Sequence, residues 1–235
     1  MTLRALAPLA LATALVAAFA SPASAAIADK TGRFNGTEVR YKVLTPPGYD
    51  PAKAYPTILV FGGGGQTLEG AQRTLESDWQ AEAEKRGYVV ISPAAPDGDL
   101  FYEKGARIFP AFLDAIGRDY RVQGKLHVAG HSNGGLSAYY VASHYPSYFS
   151  TVTGYPGLLD VEDEEGLKTL KPLCLYMHVG DQDPFWWAAM DDQASTLRSM
   201  GDRIQITVEK GQGHRLQAKA IDLSRRLFDE IESCR

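Results

Sequence analysis

Leu126-His127-Val128-Ala129-Gly130-His131-Ser132-Asn133-Gly134-Gly135 runs from a short apolar strand into a serine with glycine two positions before it and two after it. Glycines at that spacing permit a tight strand-to-helix turn, which lifts the serine hydroxyl above a sheet and sets the next backbone N–H beside it. The following segment, Leu136 to Val141, reads as a helix. Ser132 is therefore a candidate nucleophile on a sharp turn, and the rest of the chain reads outward from it.

On both sides of this turn, strand and helix signals alternate. Val39, Tyr41 and Val43 alternate with polar residues, and Thr45-Pro46-Pro47-Gly48 ends that strand. Thr57 to Phe61 is an apolar run stopped by four glycines. Leu68 to Arg86 carries Leu75, Trp79 and Ala83 at helical spacing, with Gly87 as its stop signal. Tyr88 to Ile91 reads as a strand, and Ile108, Phe112, Leu113 and Ile116 as a helical stripe. Downstream, Phe149 to Val152, Leu173 to Val179 and Ile204 to Val208 read as strands, and Ala188 to Met200 and Leu216 to Ile231 as helices. Continuous apolar strands separated by helices are what a mostly parallel sheet covered on both faces requires. The expected class is doubly wound α/β, with little or no cap domain.

The chain has 235 residues and a formal charge of −4. Arg4 precedes an uncharged run from Ala5 to Ala20, and Ala23-Ser24-Ala25 supplies small residues for cleavage, so residues 1–25 read as a signal peptide and 26–235 as one domain. The run is rich in alanine, broken by Pro8 and shorter than the roughly 20 residues of a membrane span, which favours a leader over stable membrane insertion. A mildly acidic chain without a basic tract has no footprint for nucleic acid. Export to the periplasm or beyond would expose Cys174 and Cys234 to oxidation.

A serine hydroxyl needs a base to take its proton. Among the five histidines, His131 is beside the serine and leaves the turn in another direction, His127 lies inside a strand, and His144 sits at a helix end. His214, in Gly211-Gln212-Gly213-His214 after the last strand, falls at the carboxyl edge where ligands bind in open α/β sheets; His178 is the second candidate. Gly180-Asp181-Gln182-Asp183-Pro184 offers two carboxylates to orient the base, and Asp183 is preferred over Asp181 because its spacing leaves room for the turn off the strand. The order serine, acid, histidine is the one this type of elbow uses. Oxyanion donors are expected from the Asn133 N–H and from Gly63, Gly64 and Gly65. That glycine run lacks the lysine and spacing of a phosphate loop. No metal is implied.

Pro46-Pro47-Gly48-Tyr49-Asp50, Tyr55-Pro56, the glycine run, Tyr120-Arg121-Val122, Ser132-Asn133-Gly134-Gly135 and Gly180-x-x-Asp183 occur in the order found in α/β-hydrolase esterases, and from Val39 onward the chain resembles secreted polyhydroxybutyrate depolymerases and feruloyl esterases. The resemblance implies the α/β-hydrolase fold and hydrolysis of a small-molecule or polymer ester by a serine hydrolase, without cofactor. One departure is Phe61, where such enzymes carry a histidine before the glycines. Trp186, Tyr155 and Tyr102 are candidate substrate-binding aromatics, beside Trp187. Two other functions remain open, a serine peptidase of the same fold and a silent binding protein. A final helix from Leu216 to Ser233 would run about 27 Å at ~1.5 Å per residue. That brings Cys234 to the amino edge where Cys174 starts its strand, leaving either a disulfide or two free thiols.

Overall fold

The apolar runs become the inner strands of an eight-stranded sheet. The computed structural model describes residues 25–160 and 164–234, so the expected leader lies outside the described residues except for Ala25. The strands are β1 (Ala26–Phe34), β2 (Thr37–Thr45), β3 (Thr57–Phe61), β4 (Val89–Pro93), β5 (Leu126–Gly130), β6 (Phe149–Gly154), β7 (Cys174–Gly180) and β8 (Arg203–Glu209). Their order is β1-β2-β4-β3-β5-β6-β7-β8. β2 is antiparallel to both β1 and β4, and the remaining pairings are parallel. β3, β4 and β7 are buried along their whole length.

Alternation along β3 shows how the sheet is covered. Leu59 and Phe61 face a core closed by α3 (Ala111–Asp119), α4 (Asn133–His144), α5 (Glu164–Thr169) and α6 (Pro184–Ser199). Ile58 and Val60 face a second core, closed by α1 (Leu68–Thr74), α2 (Gln80–Arg86) and α7 (Leu223–Ser233). Helices on both faces of a mostly parallel sheet make this the α/β-hydrolase fold.

Three elements differ from the sequence reading. β1 was not expected: its side chains are mostly exposed, so it has no apolar period, and it pairs with β2 through the Asn35-Gly36 turn, where both residues have positive φ. The helix expected over Leu68 to Arg86 is interrupted by a π turn, Leu75–Trp79, which still buries Leu75 and Trp79. The last helix begins at Leu223 rather than Leu216. Asp222 is left-handed (φ 51°, ψ 37°), which cannot continue a helix backwards, and residues 218–222 form turns instead. Eleven residues span about 16 Å. Even so, Cys234 reaches the start of β7 and is bonded to Cys174, with the Cα atoms 6.0 Å apart.

α7 is also fixed to the sheet by a buried charge cluster. His178 in β7 is fully buried, with Nδ1 3.0 Å from Glu209 Oε1 of β8 and Nε2 2.9 Å from Glu230 Oε2 of α7. Arg226 donates to the same Glu209 oxygen at 2.7 Å. Burial opposes a charged ring, but the two carboxylates outweigh it and raise the His178 pKa above its usual 6.5. Burial likewise opposes a charged Glu209, and the bonds from His178 and Arg226 hold it below 4.5.

The pH dependence follows from these directions. A raised histidine stabilises the fold fully below its unfolded pKa, and that contribution is lost as pH rises through the folded value. The lowered Glu209 contributes above its unfolded pKa, and its contribution is lost as pH falls through the folded value. Urea unfolding of the native protein and of His178→Gln is therefore expected to differ most near about pH 5.5 and less near about pH 9. A difference independent of pH contradicts the charged-cluster account.

Candidate functional site

Between the end of β5 at Gly130 and the start of α4 at Asn133, the chain reverses within two residues. Ser132 adopts φ 57°, ψ −121°, a region that costs a residue with a side chain on the order of 1–3 kcal/mol. Its N–H donates to Pro156 O at 2.8 Å, and its carbonyl accepts the Leu136 N–H at 3.0 Å. The neighbouring glycines are required by contact. A Cβ on Gly130 would lie 1.9 Å from Gly134 O, and one on Gly134 would lie 2.0 Å from Phe61 O.

His214 approaches from the loop after β8. Its Nε2 is 2.8 Å from Ser132 Oγ, and its Nδ1 is 2.6 Å from Asp183 Oδ2. Asp183 immediately precedes α6 and is largely shielded, whereas the His214 side chain is 42% exposed. A carboxylate on Nδ1 places the ring proton there and leaves Nε2 to accept from the serine. Asp181 does something else: it accepts the Gly211 N–H at 2.8 Å. Together with Gln182 N–H to Gln212 O at 2.9 Å, this bond ties the loop bearing Asp183 to the loop bearing His214.

The other histidines sit elsewhere. His178 belongs to the buried cluster under α7. His127 packs in β5 against Thr151 Oγ1, and burial lowers its pKa to about 4. His144 stacks on Tyr140 at the end of α4. His131 turns away from Ser132 and lies under the glycine run, where a Cβ on Gly63 would be 2.5 Å from its Nδ1. Burial first, and His214 second, lower its pKa to about 4, so this ring stays neutral.

The glycine run faces the elbow. The Asn133 side-chain amide donates to Gly64 O at 3.0 Å, and Gln66 N–H closes a turn onto Gly63 O at 3.3 Å. Gly64 needs its glycine for φ 61°, while Gly65 has only ordinary contact with Thr67. The backbone N–H groups of Gly63, Gly64 and Asn133 have no hydrogen-bond partner among the described residues. Phe61 is fully buried against Phe101 and Phe109, and its carbonyl accepts the His131 N–H. In the absence of a histidine at position 61, the run is supported by His131 and Asn133. Among the described residues, no cluster of metal-binding side chains occurs, and no helix is long and apolar enough to cross a membrane.

The Esterase family matches residues 33–226 of the chain. The chain belongs to the Esterase family. Among solved structures it is similar to a thermostable esterase, with TM-score 0.72 and 15% identity over 89% of this chain and 63% of that one. It is also similar to a ferulic acid esterase, with TM-score 0.71 and 18% identity over 89% of this chain and 98% of that one. A curated relative, dipeptidyl-peptidase 5 of Porphyromonas gingivalis, is 27% identical over 51% of this chain and only 19% of its own length.

In this esterase the three aromatics named from sequence have different surroundings. The Trp186 ring is 5.2 Å from the His214 ring. The Tyr102 hydroxyl is 3.4 Å from Asn133 Oδ1. Tyr155 is a buried residue on the α1/α2 face, 2% exposed, its hydroxyl accepting the Trp79 indole N–H at 2.9 Å, and it also lines a cavity beside Gly63 and Gly64.

Gln66 was missed by the sequence reading. It is buried with φ 49°, donates to Ser137 Oγ at 2.8 Å and to Asn133 O at 3.3 Å, and accepts the Phe101 N–H at 3.2 Å. One amide thus joins the glycine run, α4 and the segment before Tyr102. Its position directly after four glycines was the only signal available. Gln66→Met is expected to lower the unfolding free energy by about 2 kcal/mol or more, because it leaves buried donors and acceptors unpaired. A loss below roughly 0.5 kcal/mol in urea titration would show that the amide does not hold these segments together.

Proposed function

We propose that this chain hydrolyses carboxylic esters through an acyl-enzyme on Ser132, with His214 as base and acid and Asp183 as the group that orients it. The observation that carries the reading is the unbroken hydrogen-bonded series Ser132 Oγ, His214 Nε2, His214 Nδ1, Asp183 Oδ2. In the forward step Ser132 Oγ attacks the ester carbonyl and its proton passes to His214 Nε2. Asp183 offsets the imidazolium charge. The oxyanion is met by the free N–H groups of Asn133 and the Gly63–Gly64 turn, each donor of this kind contributing roughly 3–4 kcal/mol to transition-state stabilisation. Collapse breaks the C–O bond, and the alkoxide leaves with the proton from His214. Water, deprotonated by the same nitrogen, then releases the acid and restores Ser132. Trp186 and Tyr102 border this centre and are proposed to contact substrate.

We also propose that the protein is exported. The leader-like composition of residues 1–25 and the Cys174–Cys234 disulfide both fit an oxidising compartment. A second reading, a serine peptidase, draws on the partial match to dipeptidyl-peptidase 5. Turnover of a dipeptidyl naphthylamide but not of simple esters would favour it.

Ser132→Ala is expected to abolish ester turnover in a folded protein. His214→Ala should do nearly the same, and Asp183→Asn should lower kcat by orders of magnitude, because asparagine cannot stabilise the imidazolium. Asp181→Asn should lose far less, since its bond is to Gly211. Steady-state kinetics on the four variants, with circular dichroism as the fold check, provides the comparison. Retained turnover in Ser132→Ala, or equal losses in the two aspartate variants, would overturn these roles.

A further inference from the structure

A cavity of about 200 Å³ opens beside the Gly63–Gly64 turn. Gly63, Gly64 and His131 form one side, and Arg215, the residue after His214, forms another. The π turn Leu75–Trp79 supplies Ser77 and Asp78 to the lining. Such turns shift side chains out of helical register and recur at functional positions.

Asp78 accepts from Ser77 Oγ at 2.7 Å and interacts with the Tyr155 hydroxyl. These donors are neutral. Burial still holds the Asp78 carboxyl above its usual range, while Arg215 acts in the opposite sense through space. Arg215 acts on Asp78, His131 and Tyr155 only through space, with no hydrogen bond or ion-pair contact seen among the described residues. A carboxylate and a guanidinium that act on each other through space, neither with a contacting counter-charge, therefore line one small cavity; Arg73, which also lines it, is paired with Glu69.

Each simpler occupant leaves one of these groups badly placed. An anion meets Asp78, and a cation meets Arg215. An apolar group desolvates both, and a neutral hydroxylated group brings charge to neither. A group bearing an ammonium and a carboxylate a few ångströms apart satisfies both with charge-assisted hydrogen bonds.

We infer that this cavity is a subsite for the zwitterionic head of an amino acid, its ammonium against Asp78 and its carboxylate against Arg215. The inference rests on the esterase reading of Ser132. The departing oxygen must face His214 to collect its proton; the cavity shares Gly63 and Gly64 with the oxyanion turn and is bordered by Arg215, the next residue in the chain after His214, so the head group is assigned to the alcohol half. The substrate class is the O-acyl ester of a hydroxy amino acid.

The test compares kcat/KM for five acetate esters: O-acetyl-homoserine, acetoxybutyrate (carboxylate alone), the acetate of aminopropanol (ammonium alone), glycerol monoacetate (neutral hydroxyls) and butyl acetate (apolar). The homoserine ester is expected to exceed each of the others by about tenfold or more, mainly through KM. Asp78→Asn and Arg215→Gln are each expected to lower turnover of that ester about tenfold more than turnover of butyl acetate, and Arg215→Lys to restore part of the loss. Arg215 is exposed, so its variants test the subsite even if Asp78→Asn fails to fold. Equal rates across the panel, a preference for any of the other four, or uniform losses in both variants overturn the subsite while leaving Ser132-dependent hydrolysis standing. Absence of turnover, or turnover that persists in Ser132→Ala, overturns the esterase reading and the subsite with it.

Discussion

Ser132 is held in a backbone conformation that a serine would not choose, by contacts that only glycine neighbours allow. Gly134 lies against the Phe61 carbonyl, and Gly130 lies against the Gly134 carbonyl. The Ser132 N–H is tied to Pro156 O. β3, β5, α4 and the turn after β6 thus converge on one residue, and strain of roughly 1–3 kcal/mol is offset by their packing. Any side chain at Gly130 or Gly134 would separate these backbones. The hydroxyl, the Asn133 N–H and the glycine run would then lose their common orientation.

The partners of Ser132 depend on the same sheet at a distance. Asp183 follows β7 and His214 follows β8, so their separation is set by the pairing of two neighbouring parallel strands. That pairing is secured from below by the His178 cluster, which links β7, β8 and α7, and by the disulfide between Cys174 and Cys234. Above, Asp181 and Gln182 bind the two loops together. His178 contributes to the site through structure, holding the strands whose loops carry Asp183 and His214.

The fold was legible wherever burial imposed a period. β3, β4 and β7 are apolar throughout because helices cover both faces of the sheet, and the glycines around Ser132 marked the elbow. β1 escaped because an exposed edge strand has no apolar period, although Asn35-Gly36 is a strong two-residue hairpin signal that could have revealed it. The start of α7 was misplaced because Leu216 and Ala218 are buried, as helical residues would be, and only the left-handed Asp222 shows where the helix begins. Ser132, His214 and Asp183 were named from chemistry and chain order, and the structure brings the three into one hydrogen-bonded series. Gln66 could not, since its part depends on three segments far apart in sequence. For Tyr155 the sequence could not separate core from cleft, because an aromatic after a strand looks the same in either place; the residue is buried and also lines the cavity beside Gly63 and Gly64.

The central claim is that Ser132 is the activated nucleophile. Its most direct test is mass spectrometry of the intact and digested protein after brief treatment with a fluorophosphonate. The account predicts one adduct per chain, on the peptide carrying Ser132, and its loss in His214→Ala because the base no longer takes the proton. Labelling of another residue, or none in folded protein, would contradict it.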